Sequence, residues 1–220
     1  MKIHSLFQSI NGEVTNAVQG SICTFIRLQG CHARCAYCDT PDSQDPYRGE
    51  EMLVDEICER VKNLGIKTRY ITITGGEPLE QEKELIDLIK ELKRRDPIRH
   101  ISLETNGLLP VNNIVCWTDC LVMDYKLQMA ADTEIPDKNL KRLGHKDWVK
   151  IPIQNLRDYG NAVKVRDLIY KEGVFLTLKP KVAFSAVAPL TPKQLFTWIF
   201  ESKLTDVVLN VQIHKLIGVA

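Results

Sequence analysis

Net charge is almost missing from this sequence. It has 29 Lys and Arg against 28 Asp and Glu, a formal +1 over 220 residues. So even a balance gives no bulk electrostatic attraction to nucleic acid or to an anionic membrane. Long apolar runs are also missing: none approaches the roughly 20 residues of a membrane-spanning helix. Met1–Ile10 holds no apolar stretch of the kind a secretory signal needs, so a cytoplasmic location is expected. There is no internal repeat, low-complexity tract or Gly/Ser/Pro linker, so residues 1–220 are expected to form a single domain. The seven cysteines are an odd number, which fits a reducing compartment better than a disulfide framework.

Thiols, by contrast, are concentrated. Cys31, Cys35 and Cys38 fall within eight residues, followed directly by Asp39 and Thr40. The strand-like run Ile22–Leu28 leads into them through Gln29 and Gly30, so they belong on a loop at a strand's C-terminal end. Short-spaced thiolates hold soft or redox-active metals. Two readings stand at this point. A zinc site would recruit His32 or Asp39 as a fourth ligand. An iron–sulfur cluster held by three cysteines would leave one iron open to something that is not a side chain. Of the other thiols, Cys23 and Cys58 lie in apolar patterns and are expected to pack as small hydrophobes. Cys116 and Cys120 flank Trp117–Asp119, two thiols without a third ligand nearby.

The remaining chain alternates short apolar strands with amphipathic helices. Strands are expected at Tyr70–Ile73, His100–Leu103, Cys120–Asp124, Trp148–Ile151, Val174–Leu178 and Val207–Val211. Helices are expected at Met52–Leu64, Glu80–Arg95, Asn161–Glu172 and from Thr191-Pro192 onward, with residues 41–51 as loop. This alternation predicts an α/β fold, an incomplete TIM-type barrel of about six parallel strands with helices outside. Ile98–Asp124 is too short for a full crossover helix between its two strands. The polar segments Cys31–Thr40, Thr74–Pro78, Glu104–Gly107 and Asp124–Lys126 all follow strands, so they would project to one rim and share one site.

The cysteine triplet, with Tyr37 before its third member, resembles the radical S-adenosylmethionine (SAM) superfamily, as does Thr74-Gly75-Gly76-Glu77-Pro78. The resemblance implies a [4Fe-4S] cluster on Cys31, Cys35 and Cys38 whose open iron chelates SAM. Tyr37, Cys38 and Asp39 would flank SAM. Glu77, with the Gly75 and Gly76 backbone, would meet its amino group. Asn106 and the run Asp124, Tyr125 and Lys126 would complete the SAM pocket.

Further segments narrow the likeness. Phe7–Glu13, Phe25–Cys31, Cys38-Asp39-Thr40, Glu104–Gly107 and Gln212–Lys215 resemble the 7-carboxy-7-deazaguanine synthase family from one end of the chain to the other. The resemblance implies a lyase of 7-deazapurine (queuosine) biosynthesis. In that reaction, reduced cluster cleaves SAM to methionine and a 5′-deoxyadenosyl radical, which takes hydrogen from C6 of 6-carboxy-5,6,7,8-tetrahydropterin. The ring contracts, ammonia leaves, and SAM is regenerated. Mg²⁺ would be held by Thr40. Ile10, Asn11, Gly12, Glu13, Arg27, Thr74 and His214 would contact substrate. A flavodoxin or ferredoxin reductant and a homodimer are expected. Two departures stand out: Asn11-Gly12-Glu13-Val14 replaces the family's Gln-Gly-Glu-Gly, and Asp124-Tyr125-Lys126 replaces Ser-Pro-Lys. The rival readings are a glycyl-radical activating enzyme acting on a protein partner and a non-catalytic zinc or iron–sulfur module.

Overall fold

Alternation of apolar and polar residues builds the sheet at the centre of this chain. The computed structural model describes residues 1–130, 133–170 and 179–219. In chain order the strands are β1 (Lys2–Ile10), β2 (Ile22–Leu28), β3 (Glu50–Glu51), β4 (Tyr70–Gly75), β5 (His100–Thr105), β6 (Cys120–Asp124), β7 (Trp148–Ile153), β8 (Lys181–Ala186) and β9 (Val207–Asn210). The helices are α1 (Val54–Asn63), α2 (Glu82–Arg95), α3 (Leu127–Ala130), α4 (Ile135–Leu140), α5 (Leu156–Tyr170), α6 (Pro192–Glu201) and α7 (Ile213–Ile217). The strands form one sheet in the order β3-β1-β2-β4-β5-β6-β7-β8-β9. β2 and β4 to β9 run parallel. β1 is antiparallel to β2 and β3. The parallel part therefore has seven strands rather than about six, and an antiparallel pair extends it.

Ile71 and Ile73 of β4, and Ile101 and Leu103 of β5, are fully buried in the main core with Ile57 and Val61 of α1 and Leu85, Leu88 and Ile89 of α2. The intervening Thr72, Thr74, Ser102 and Glu104 fall on the opposite, concave face, because successive strand side chains alternate. On that face Cys23 Sγ lies 3.3 Å from Thr72 Oγ1.

The sheet curves without closing, and the loop after β1 spans the gap. Ile213 N–H donates to Gly12 O (3.1 Å), and Val14 N–H donates to Asn210 Oδ1 (2.9 Å). Val14 packs on a second apolar cluster of Cys120, Val122, Trp148 and Ala183 inside the curve. Asn16 accepts from Trp148 Nε1 (3.1 Å) and Lys181 Nζ (2.6 Å) at the N-terminal ends of their strands. This loop thus plugs the barrel from below and leaves the opposite rim open.

Several elements differ from the sequence expectation. β1 and the two-residue β3 have no parallel-sheet pattern; they form by antiparallel pairing with β2 and with each other's edge. β8 pairs with β7 over six positions, Trp148↔Lys181 to Ile153↔Ala186, whereas the expected strand Val174–Leu178 lies outside the described residues. α5 starts at Leu156, not Asn161. Asn155 Oδ1 caps it by accepting Asp158 N–H (3.0 Å), and Asp158 Oδ2 accepts Gln154 N–H (3.1 Å) in return. α6 begins as expected, with a Thr191–Gln194 capping box and Pro192 in its first turn. The β5–β6 connection carries no helix, in keeping with its length.

Candidate active site

Successive parallel strands each bring a polar side chain near their C-terminal ends to one side of the sheet. Arg27 of β2 is paired with Thr74 of β4. Thr74 Oγ1 donates to Glu104 Oε2 of β5 (2.9 Å). Asp124 of β6 is paired with Lys150 of β7, and Ser185 of β8 with Asn210 of β9. Glu13, from the gap-spanning loop, completes this belt. Apart from Asn210, which lies behind it against Glu13 and Ser185, the belt is the floor of a cavity of about 610 Å³ that Cys31, Cys35 and Cys38 also line.

Charge on the floor is compensated in a definite pattern. Lys150 Nζ donates to Glu13 Oε2 (2.6 Å) and lies 3.1 Å from Asp124 Oδ1. Lys126 Nζ donates to Asp124 Oδ2 (2.7 Å). Gln212 Nε2 (2.6 Å) and Asn210 Nδ2 (3.2 Å) also donate to Glu13. Burial alone would raise the Glu13 and Asp124 carboxyls. The adjacent ammonium groups outweigh it and hold both below their ordinary values. Burial likewise works against the Lys150 charge, but Asp124, Glu13 and Glu104 raise its pKa well above normal. Glu104 differs: among the described residues it forms no ion pair. Burial pushes its carboxyl up to about 7, with Lys150 offsetting only part of that.

Arg27 lies among aromatic rings. Its guanidinium carbon is 5.1 Å from the Phe7 ring centroid, and Phe7 stacks on Phe25 at 5.1 Å. Arg27 Nε is buried and has no hydrogen-bond partner in the protein. Arg27 also lines the cavity, where a guanidinium with an unpaired nitrogen suits an anion such as a carboxylate.

The cysteine loop sits against the ends of β4 and β5. Asn106 Nδ2 lies 3.9 Å from Cys31 Sγ. Burial raises the Cys31 thiol to about 11 and also raises that of Cys35. A cluster that draws off their protons would relieve this. Neither side chain offered as a zinc ligand is directed to that use: His32 Nδ1 is 2.7 Å from Glu80 Oε1, and Asp39 pairs with Lys215 (3.1 Å). Among the described residues no three His, Cys, Asp or Glu side chains converge on one ion. A cluster needs no such convergence, because each cysteine binds its own iron. Three thiols lining one cavity supply the donors that a cluster takes. Cys116 is exposed and Cys120 fully buried, so those two thiols form no second centre.

Most residues singled out in the sequence line this cavity: Ile10, Asn11, Gly12, Glu13, Arg27, Tyr37, Asp39, Thr40, Thr74, Gly75, Gly76, Asn106, Asp124, Lys126 and His214. Two do not. Glu77 is fully buried and accepts from Leu79 N–H (3.0 Å), Thr105 Oγ1 (2.8 Å) and Asn106 N–H (2.7 Å). Its carboxylate fastens the β4 and β5 loops together instead of facing a ligand amine. Tyr125 alternates away from the cavity between Asp124 and Lys126, and its hydroxyl donates to Asp137 (2.6 Å). Asn11 lines the cavity, but its amide donates to Thr15 Oγ1 and Ala17 O (both 3.2 Å), so it braces its own loop. Lys150, Ser185 and Asn210 are site residues that sequence reasoning missed. Only Lys150 left a signal, a lone charge inside the apolar run Trp148–Ile153.

Close backbone approach explains the glycines. A Cβ on Gly76 would lie 2.0 Å from Gly30 O, and one on Gly12 would lie 2.0 Å from His214 Nδ1. The first lets the two loops touch; the second seats His214 over the cavity. Burial holds His214 below its ordinary pKa, so the ring is neutral at pH 7.

Three thiols beside a glycine-lined pocket at the C-terminal rim of a partial barrel define the class. The Radical SAM superfamily model matches residues 25–174, and the chain belongs to that superfamily. A 7-carboxy-7-deazaguanine synthase from Clostridium acetobutylicum is 32% identical over 98% of this chain and 95% of its own length. One from Methanospirillum hungatei is 31% identical over 99% of this chain and 86% of its own. The crystal structure of QueE from Escherichia coli shares the fold, with a TM-score of 0.73 at 21% identity, covering 96% of this chain and 93% of that one. Within the superfamily, the chain belongs to the 7-carboxy-7-deazaguanine synthases. No helix among the described residues is long and apolar enough to cross a membrane.

Proposed function

We propose that this chain, acting as one domain over residues 1–220, is a 7-carboxy-7-deazaguanine synthase. It contracts the ring of 6-carboxy-5,6,7,8-tetrahydropterin with loss of ammonia. The observation that carries this reading is Arg27, which lines the same cavity as the three thiols and whose buried Nε has no protein partner. It marks a carboxylate position on the floor of a pocket large enough for a two-ring substrate.

The cluster and SAM, when bound, supply a carbon-centred radical. The chain's own residues bind, orient and exclude water. Cys31, Cys35 and Cys38 hold the cluster. Tyr37, Asp39, Gly76, Asn106 and Lys126 surround SAM, with Gly75 and Gly76 offering backbone where a side chain would clash. Arg27 takes the substrate carboxylate through charge-assisted hydrogen bonds. Thr74, Glu13 and His214 face the pterin ring, and Gly12 keeps His214 in place. Thr40 caps the short helical turn Pro41–Ser43 without using its hydroxyl. That leaves it an oxygen donor for Mg²⁺ beside the substrate carboxylate, in keeping with an ion that takes few protein ligands. A cytoplasmic homodimer served by a flavodoxin or ferredoxin completes the reading.

The test is anaerobic turnover of reconstituted protein with SAM, dithionite, Mg²⁺ and 6-carboxytetrahydropterin, read by mass spectrometry. Formation of 7-carboxy-7-deazaguanine with release of ammonia is expected. SAM cleavage without that product would overturn the pterin assignment and favour a protein substrate. No SAM cleavage by a fully loaded sample would favour a binding module.

A further inference from the structure

Three carboxyl groups surround one ammonium in the cavity floor. Lys150 Nζ donates to Glu13 Oε2 (2.6 Å) and lies 3.1 Å from Asp124 Oδ1, while Glu104 acts on it from β5. Asp124 has a second cation in Lys126 (2.7 Å). Glu13 has none: among the described residues its other side-chain partners are the neutral amides of Asn210 (3.2 Å) and Gln212 (2.6 Å). The groups facing Glu13 are Lys150 from β7, Asp124 from β6, Glu104 from β5, Asn210 from β9, and Gln212 and His214 around the start of α7.

Nothing in β7 itself calls for a charge. Trp148–Ile153 is buried at every position, and the Lys150 and Glu13 side chains are only 11% and 15% exposed. An ammonium held out of water is costly unless its partners offset the loss. The pairing also assigns the lone pairs of Glu13. Oε2 accepts from Lys150 and Asn210, and Oε1 from Gln212, so among the described residues one of about four lone-pair sites, on Oε1, stays open. Both residues line the cavity. A pterin presents N–H groups along its ring edge, and an anionic oxygen held in place from two sides is the acceptor they need.

We propose that Lys150 is a positioning residue for the substrate: acting through Glu13, it holds the carboxylate where the ring N–H groups of the pterin bind. The proposal rests on the synthase reading. Without the ammonium, burial would leave the Glu13 carboxyl protonated near neutral pH. The charge-assisted bonds to the ring would then be lost. Raising the pH would ionise Glu13 again and restore them. Loss of Lys150 therefore weakens pterin binding most at low pH and least at high pH, whereas a lysine that touched the pterin directly would leave no such dependence on Glu13.

The experiment is anaerobic calorimetry of 6-carboxy-5,6,7,8-tetrahydropterin binding to cluster- and SAM-loaded protein, without reductant, across the range from pH 6 to pH 9. Each variant's Kd is divided by that of wild type at the same pH, which cancels the pterin's own titration. Iron content and circular dichroism establish that each variant is folded and loaded. Lys150→Met is expected to weaken binding about 10- to 100-fold at the acid end, with the ratio falling at least about fivefold toward the alkaline end. Lys150→Gln, also uncharged, should behave the same way and stands in if the Met variant does not fold. Lys150→Arg keeps the charge, so its ratio should stay within about fivefold of one and flat with pH. In a Glu13→Gln background, Lys150→Met should weaken binding by less than about threefold at any pH. The full loss persisting in that background would overturn the proposal, because Lys150 would then touch the pterin itself or act through Glu104 or His214. So would a loss that does not change with pH, wild-type affinity in Lys150→Met, or an Arg variant that titrates like the Met one. Wild type that binds no pterin would overturn the synthase reading, and this proposal with it, before any variant is tested.

Discussion

Glu104 makes a stability prediction that needs neither cluster nor substrate. Its carboxyl rises from an ordinary 4.5 to about 7 in the folded chain, first because it is buried. The sign follows from linkage. Between pH 4.5 and 7 the folded state holds a proton that the unfolded chain has released, so stability declines as pH rises through that window. Below it the group has no effect; above it the full penalty is present. At about 1.4 kcal/mol per pKa unit, the wild-type chain loses about 3 kcal/mol by pH 8. This is an upper figure, since the carboxyl borders a cavity that water can enter. Glu104→Gln keeps the shape and an acceptor for the Thr74 hydroxyl but cannot ionise. Urea unfolding of cluster-free protein, measured from pH 5 to 8.5, should show the Gln variant more stable than wild type at pH 8. That gap should shrink steadily toward pH 5. A gap that does not change with pH, or a Gln variant less stable at pH 8, would refute the reasoning that Glu104 is an uncompensated buried acid.

Other perturbations read other parts of the site. Lys150→Met removes the ammonium that holds Glu13 and Asp124, and should destabilise the cluster-free protein by about 3–5 kcal/mol. Glu13→Gln in the same chain should recover part of that in a double-variant cycle, and strict additivity would argue against the ion pair. Gly12→Ala drives a methyl into His214, so kcat/KM for the pterin should fall by up to about 10²-fold. The unfolding midpoint should move little, and an unchanged kcat/KM would show that His214 is not held by Gly12. Arg27→Met should raise KM for the pterin while leaving SAM binding by calorimetry unchanged; equal losses of both would refute its role as carboxylate anchor. Cys35→Ala should abolish iron retention after anaerobic reconstitution, and retained iron would move the cluster elsewhere.

Much of this protein was legible locally. The cysteine spacing, the glycine pair after β4 and the βα alternation are short-range patterns, and each points the same way. They place the site at the C-terminal rim because parallel strands, whatever their order, end on one side. The elements that escaped notice depend on partners far along the chain. β1 and β3 are defined by antiparallel pairing at the sheet edge. β8 is defined by its pairing with β7. The start of α5 was obscured by Gly160 and is set by the Asn155–Asp158 cap.

The site divides in the same way. By itself the sequence placed three thiols and a glycine-lined loop on one rim, since each follows its own strand; Arg27 joined them only through the family resemblance. Only the tertiary structure decided which polar side chains share that space. Strand alternation turns Tyr125 outward between Asp124 and Lys126, and the loop contacts at Leu79, Thr105 and Asn106 draw Glu77 inward. Strand packing and the gap-spanning loop set Lys150 against Glu13, 137 residues away in the chain, and leave Glu104 with no ion pair among the described residues. Charge compensation is a property of distances between strands, so no local run of residues could have announced it.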